Sequence, residues 1–352
     1  MSQIVKKMYV LSLVGLTLFG CTSTQDKPEV EIPEPVVLQT PEPIINSEDQ
    51  HLMMVFYMNS LQNGDLVVAD PGLMNIIVFD QNGTEKHRFG NQGRGPGEIS
   101  EISTFFVFQD DIYIGDRSQA KVLRFNASGQ YLSSLDYLSH RGSYGEVMLT
   151  DTMSYVSASM GENGSLLKWH RPSTDSTAFW GEAFGEEYVF GDLSIQNEYL
   201  KRGEIPPSAM NNVRFTSDGT NLYVFSNAHA IVQKYDLNGS LIWQRDVQIP
   251  INELIFEDAV KRANELTMPG VSASFSLVTG FKVIGGDVYI LSNHVDGHDR
   301  SFLKVSANGD VEAHYIIPTA PARFLDFTVN PETQTLFLTA PETGEVYRVS
   351  LE

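Results

Sequence analysis

Short runs of β-branched and aromatic residues alternate with turn residues along most of this chain. Asp65-Leu-Val-Val-Ala-Asp70 and Ile76-Ile-Val-Phe-Asp80 read as two buried strands. Asn82-Gly83 follows, a pair that accepts φ > 0 at both central positions of a tight hairpin. Lys86 to Phe89 then supplies an alternating outer strand. The same order returns from Asp111 to Gly129, from Asn221 to Gly239 and from Asp287 to Gly309. Strand start and turn glycine are 18 residues apart in the first three of these four units and 22 in the last. A further copy runs from Thr335 to Ser350, and a weaker one from Met153 to Trp180.

One more strand candidate precedes each copy: Met53 to Met58, Ile102 to Phe108, Gly145 to Thr150, Asn211 to Thr216, Ser276 to Val283 and Phe324 to Val329. Six units of four strands predict an all-β fold, a six-bladed β-propeller of antiparallel blades. Evenly spaced short strands also suit a β-sandwich, but a sandwich has no reason to keep a fixed offset. The last unit stops after its third strand. Pro35-Val-Val-Leu-Gln-Thr40 is the expected donor of the fourth, which closes the ring and removes bare edges.

The segment Gly90-Asn-Gln-Gly-Arg-Gly-Pro-Gly-Glu98 resembles the linker of NHL-type and TolB-like six-bladed propellers, a kind common in lipoproteins of Bacteroidetes. The resemblance spans residues 50 to 352 and implies fold, not catalytic residues. NHL-related propellers include metal-dependent lyases and lactonases, whose ligand set has no match here.

Three regions are expected: a signal peptide over 1–20, a lipidated tether over 21–50 that includes the closing strand, and the propeller over 51–352. Lys6 and Lys7 precede an apolar run from Met8 to Phe19, too short to span a bilayer and suited to a secretory signal. Leu18-Phe19-Gly20-Cys21 resembles a lipobox, and Cys21 is the chain's only cysteine, so palmitate-type acylation is expected there. Thr22 in the next position favours an outer-membrane lipoprotein in the cell envelope. Thr22 to Gln50 is rich in Pro, Glu and Thr, as an extended tether should be.

The formal charge is −20, and −22 once Lys6 and Lys7 are removed with the signal. Such a surface repels phosphate backbones, which argues against nucleic acid as a partner. Two insertions interrupt the repeat. Glu182 to Met210 contains Pro206-Pro207; Pro250 to Gly270 suggests a helix capped by Asn252, with Ile255, Phe256, Ala259, Val260, Ala263 and Leu266 at helical spacing and Gly270 at its end.

Propeller topology gathers both insertions, the Gly90–Glu98 linker and the loops after each second strand on one face. Binding residues concentrate on such loops. Candidate ligand contacts there are Arg94, Glu98, Asp116, Arg117 and His229. Arg214, Lys282 and Asp326 join them from the inner strands, where they either meet a ligand or stay hydrated. His294, Asp296 and His298 carry metal-type donors within five residues, although a polar loop turning at Asp296-Gly297 is the simpler explanation. No cofactor is called for beyond that candidate divalent metal. Neither a GxSxG elbow nor an HExxH helix is present, so no catalytic residue is assigned. The expectation is a monomeric, lipid-anchored binding module for an envelope protein, peptide or glycan. The alternatives are a metal-assisted hydrolase or lyase and a structural envelope component.

Overall fold

The computed structural model describes residues 30–136, 147–151, 153–188, 194–268, 270–318 and 322–352. The expected signal peptide and Cys21 lie outside them. The described residues form six antiparallel sheets of four core strands, each a meander from inner to outer strand. Blades 1 to 5 span residues 57–89, 104–136, 147–182, 213–246 and 278–317; blade 6 takes 327–350 and one strand from the N-terminal region. The inner strand of blade 6, Phe327–Asn330, lies beside that of blade 1, Tyr57–Ser60, so the ring is closed.

The apolar runs are continuous because both faces of each blade are covered. Successive side chains of a strand point to opposite faces. In blade 1, Val67 and Ala69 join Ile112 and Ile114 of blade 2, while Leu66 and Val68 join Phe337 and Val346 of blade 6. Every other neighbouring pair shares a core of the same kind. No blade is covered without its neighbours, as expected of stacked repeats.

The turn glycines register the blades. Gly129 of blade 2 sits on Phe89 of blade 1, Gly239 of blade 4 on Trp180 of blade 3, and Gly309 of blade 5 on Trp243 and Arg245 of blade 4. Each has φ between 81° and 90°. The residue three before the glycine fastens the turn: Asp80, Asn126, Asp236 and Ser306 each accept two backbone N–H groups through one side-chain oxygen.

The closing strand differs from expectation. Blade 6 is completed by Glu42–Ile45, antiparallel to Glu345–Ser350. The segment Pro35 to Thr40 instead lays Val36–Val37 parallel to the outer strand of blade 5 as a fifth strand. Ile45, 1% exposed, decides the matter: it fills the seam beside Phe79 and Val346, and the Ile44 backbone carbonyl lies under Gly83, where the other turn glycines meet an outer-strand side chain. Pro43 is tolerated because the strand lies at an edge.

The second insertion forms the helix Pro250–Glu265, with Ile249 as N-cap and Pro250 in the first turn. Asn252 lies inside the first turn instead of capping it, since proline takes the N1 position readily. Leu266, not Gly270, is the C-cap. The first insertion contributes Ser194–Lys201, which packs on that helix through Leu200, Ala259 and Ala263. Among the described residues no helix is long and apolar enough to cross a membrane.

Candidate functional site

A cavity of about 510 Å³ occupies the middle of the ring. Its wall is made by the inner strands and by the residues that enter or leave them on the loop-rich face. Ring side chains stand in it from several blades, among them Phe56, Tyr57, Phe105, Phe215, Phe275 and Phe281. Tyr57 and Phe105 face each other across the blade 1–2 boundary with ring centroids 6.4 Å apart.

Between the rings stand neutral polar groups joined in series. Asn227 donates to Asn212 Oδ1 (2.9 Å), Ser276 donates to Asn227 Oδ1 (2.9 Å), and Asn293 donates to the Ser276 carbonyl (2.9 Å). These residues sit where a second strand ends beside the start of an inner strand. The backbone fixes them as well: Asn227 N–H donates to Asn212 O, and Asn293 N–H to Leu277 O. A carboxamide held this way keeps further donor and acceptor capacity for a ligand.

Of the sequence-predicted residues, Arg214, Lys282 and Asp326 line this cavity. Lys282 and Asp326 form an ion pair at 2.8 Å, each largely buried. Asp326 accepts from Met58 N (2.9 Å), and Lys282 donates to the Met58 carbonyl. The group therefore ties blades 5, 6 and 1 at the point where the ring closes. Burial holds the Lys282 ammonium below the usual lysine range, against the attraction of Asp326.

The remaining predicted residues stand away from the cavity wall. Asp116 is fully buried and accepts from Ser100 N (2.7 Å), Glu101 N (3.3 Å) and Gln119 N (3.0 Å), a clasp on the loop. Asp70 does the same in blade 1 for Met53, Met54 and Gly72. Arg117 pairs with Glu101 at 2.6 Å on the surface. Glu98 folds back on its own linker, accepting from Gly95 N (2.7 Å), while Arg94 is exposed. His229 packs against Phe184 with ring centroids 4.4 Å apart and the planes tilted by 37°.

The metal-type residues do not converge. Asp296 accepts from His294 (2.9 Å) and Arg323 (2.8 Å), and His298 is exposed. Among the described residues no group of three or more His, Cys, Asp or Glu side chains is arranged to hold a metal.

Sequence reasoning passed over Arg300, which is 3% exposed behind the cavity wall. It donates to Thr279 Oγ1 (2.5 Å) and to the carbonyls of Ser292 and Phe324. Burial pushes its guanidinium down to about 9, yet an arginine stays protonated at neutral pH. The loop between the second and third strands of blade 5 is thus fixed by a buried cation. The cavity aromatics and amides were passed over too, because on an inner strand they read as ordinary core.

A family model described as a 6-bladed beta-propeller matches residues 48–156. No curated protein matches the chain. Among solved structures it is similar to a Bacteroides fragilis protein described as exported, with 14% identity over 93% of this chain and 96% of that one, at a TM-score of 0.51. A Bacteroides vulgatus member of the DUF4221 family is 8% identical over 92% and 98% of the two chains, at 0.50. A virginiamycin B lyase of Staphylococcus aureus is 11% identical over 90% and 85%, at 0.46. Likeness at these identities is one of fold alone. Blade count and family match agree: this chain is a six-bladed β-propeller of four-stranded antiparallel sheets.

Proposed function

We propose that the chain is an exported binding module that seats a protein, peptide or glycan ligand in the central cavity. The observation that carries this reading is the cavity itself. A concavity of about 510 Å³ lined by aromatic rings and a few fixed polar groups has the size and chemistry of a ligand pocket. Export is supported by the apolar run ahead of Cys21 and by the fold shared with a Bacteroides fragilis protein described as exported. The metal-assisted alternative draws no support from the arrangement of His294, Asp296 and His298.

Phe56 is the residue to test, because it lines the cavity and is only partly buried. Fractions of envelope extract should raise the melting temperature of the wild-type chain by ~2–4 °C, and should not move Phe56→Ser, whose own melting temperature stays close to wild type. A fraction that stabilises both proteins equally would place its ligand elsewhere.

The anchor is tested separately. Wild type is expected to incorporate labelled palmitate and Cys21→Ser to incorporate none; equal label in both would remove acylation at Cys21 and the outer-membrane lipoprotein reading with it.

A further inference from the structure

Ligand class follows from what lines the cavity and what stands at its rim. Aromatic rings and the aliphatic or thioether side chains of Met148, Met160, Val213, Val278 and Leu325 contribute the apolar area of the wall. The polar groups between them are mainly neutral, among them the carboxamides and hydroxyl of Asn212, Asn227, Ser276 and Asn293, with Arg214 as a charged exception beside the Lys282–Asp326 pair. The one carboxylate among them, Asp326, is already engaged by Lys282 and Met58 N. A glycan would present many hydroxyls to this wall, and those set against Met148, Met160, Val213, Val278 and Leu325 would find no partner. An apolar side chain flanked by peptide groups matches it better, since a carboxamide both donates and accepts as a peptide group does.

The rim adds a charge preference. Glu186 and Glu187 are exposed and sit beside Met160, a cavity residue. Their position is fixed from both sides: Asn211 Nδ2 donates to the Glu186 carbonyl (2.9 Å), and Tyr188 N–H to the Met160 carbonyl (2.9 Å). The whole chain carries −20, so the surrounding field has the same sign.

We propose that the cavity receives an apolar residue of a polypeptide segment, with a neighbouring lysine or arginine of that segment against Glu186 and Glu187. The inference rests on the reading of the cavity as the ligand site and narrows it to one class. The apolar residue supplies most of the affinity by burial. The basic neighbour sets orientation and on-rate, and makes binding weaken with salt.

The test is selection of a random heptapeptide library, displayed on phage, against the full chain, followed by titration calorimetry on synthetic versions of the enriched peptides. Enriched peptides should share an aromatic or aliphatic residue next to Lys or Arg. Phe56→Ser should weaken them at least tenfold. The double change Glu186→Gln/Glu187→Gln should weaken them about three- to tenfold and flatten the salt dependence. Both variants alter partly or fully exposed side chains, and their melting temperatures are measured alongside. A glycan array is run in parallel. Glycans that bind and are lost in Phe56→Ser, with no such peptide, would overturn the polypeptide inference while leaving the cavity as the site. Peptides lacking a basic residue, or indifferent to Glu186 and Glu187, would overturn the rim contact. If no ligand of either kind responds to Phe56→Ser, the cavity reading falls as well.

Discussion

Gly239 shows how one atom sets the spacing between blades. Its φ is +86°, and a Cβ there would lie 2.4 Å from the Trp180 ring of the preceding blade. Two separate penalties would meet in Gly239→Ala: the left-handed backbone of a residue with a side chain, and the displacement of a buried indole. Gly164, at φ +68° with open space around it, isolates the first. Gly164→Ala should therefore lose about 1–2 kcal/mol, the backbone penalty alone. Gly239→Ala should lose ~3 kcal/mol or more, because the ring must also shift. Urea denaturation of the two variants measures both losses. Equal losses would mean that Trp180 yields freely and that the glycine-on-aromatic contact does not hold the blades in register. Asp116 makes a related point about function. Its charge and loop position read as a ligand contact, but burial with several backbone donors makes it a structural clasp.

At the scale of elements, the repeat was legible because blade geometry fixes it. Asp65, Asp111 and Asn221 open second strands or sit one residue before them, and Gly83, Gly129 and Gly239 close the turn after the third. The 18-residue spacing between them is the length of two strands and a loop, and the 22 of blade 5 reflects the longer loop ahead of Arg300. The closing strand was not legible in its register. Val36-Val37 has the stronger strand propensity, whereas Glu42-Pro43-Ile44-Ile45 carries a proline that a paired strand interior would exclude. What decides between them is tertiary: only Ile45 meets the seam between blades 6 and 1. The helix shows the same limit at its ends, since Pro250 and Asn252 both make plausible starts and the chain's approach from Ile249 selects the former. For the site, charges on inner strands stood out against apolar neighbours, so Arg214, Lys282 and Asp326 could be found. Phe105 and Phe281 face the cavity from strands whose other side chains are core, and alternation alone does not tell the two kinds of burial apart.

Over the whole molecule, the ring is as cooperative as its weakest seam. Each blade boundary shares a core, but the 6–1 boundary takes the whole outer strand of blade 6 from about 300 residues away in sequence. Its interactions concentrate in a few groups: Ile45 in the core, Glu42 paired with Arg348 at 2.7 Å, and the Lys282–Asp326–Met58 clasp on the inner side. Deleting the chain through residue 41 removes the exposed Val36–Val37 strand together with Leu38, which is buried in the blade 5–6 core, and should lose ~2 kcal/mol. Deleting through residue 46 also removes Ile45 and uncovers the Glu345–Ser350 edge, and should lose ~4 kcal/mol or more. The three tryptophans sharpen this comparison. Trp169 and Trp180 lie in blade 3 and Trp243 in blade 4, away from the seam. Fluorescence therefore reports the far side of the ring, and circular dichroism reports all of it. With the seam intact the two transitions should coincide in urea, as for one cooperative unit. With residues 1–46 removed, the dichroism transition should begin at lower urea than the fluorescence transition, because blades 6 and 1 open first. Coincident curves and a small loss in the longer deletion would show that Glu42–Ile45 merely decorates a ring held shut by its inner strands.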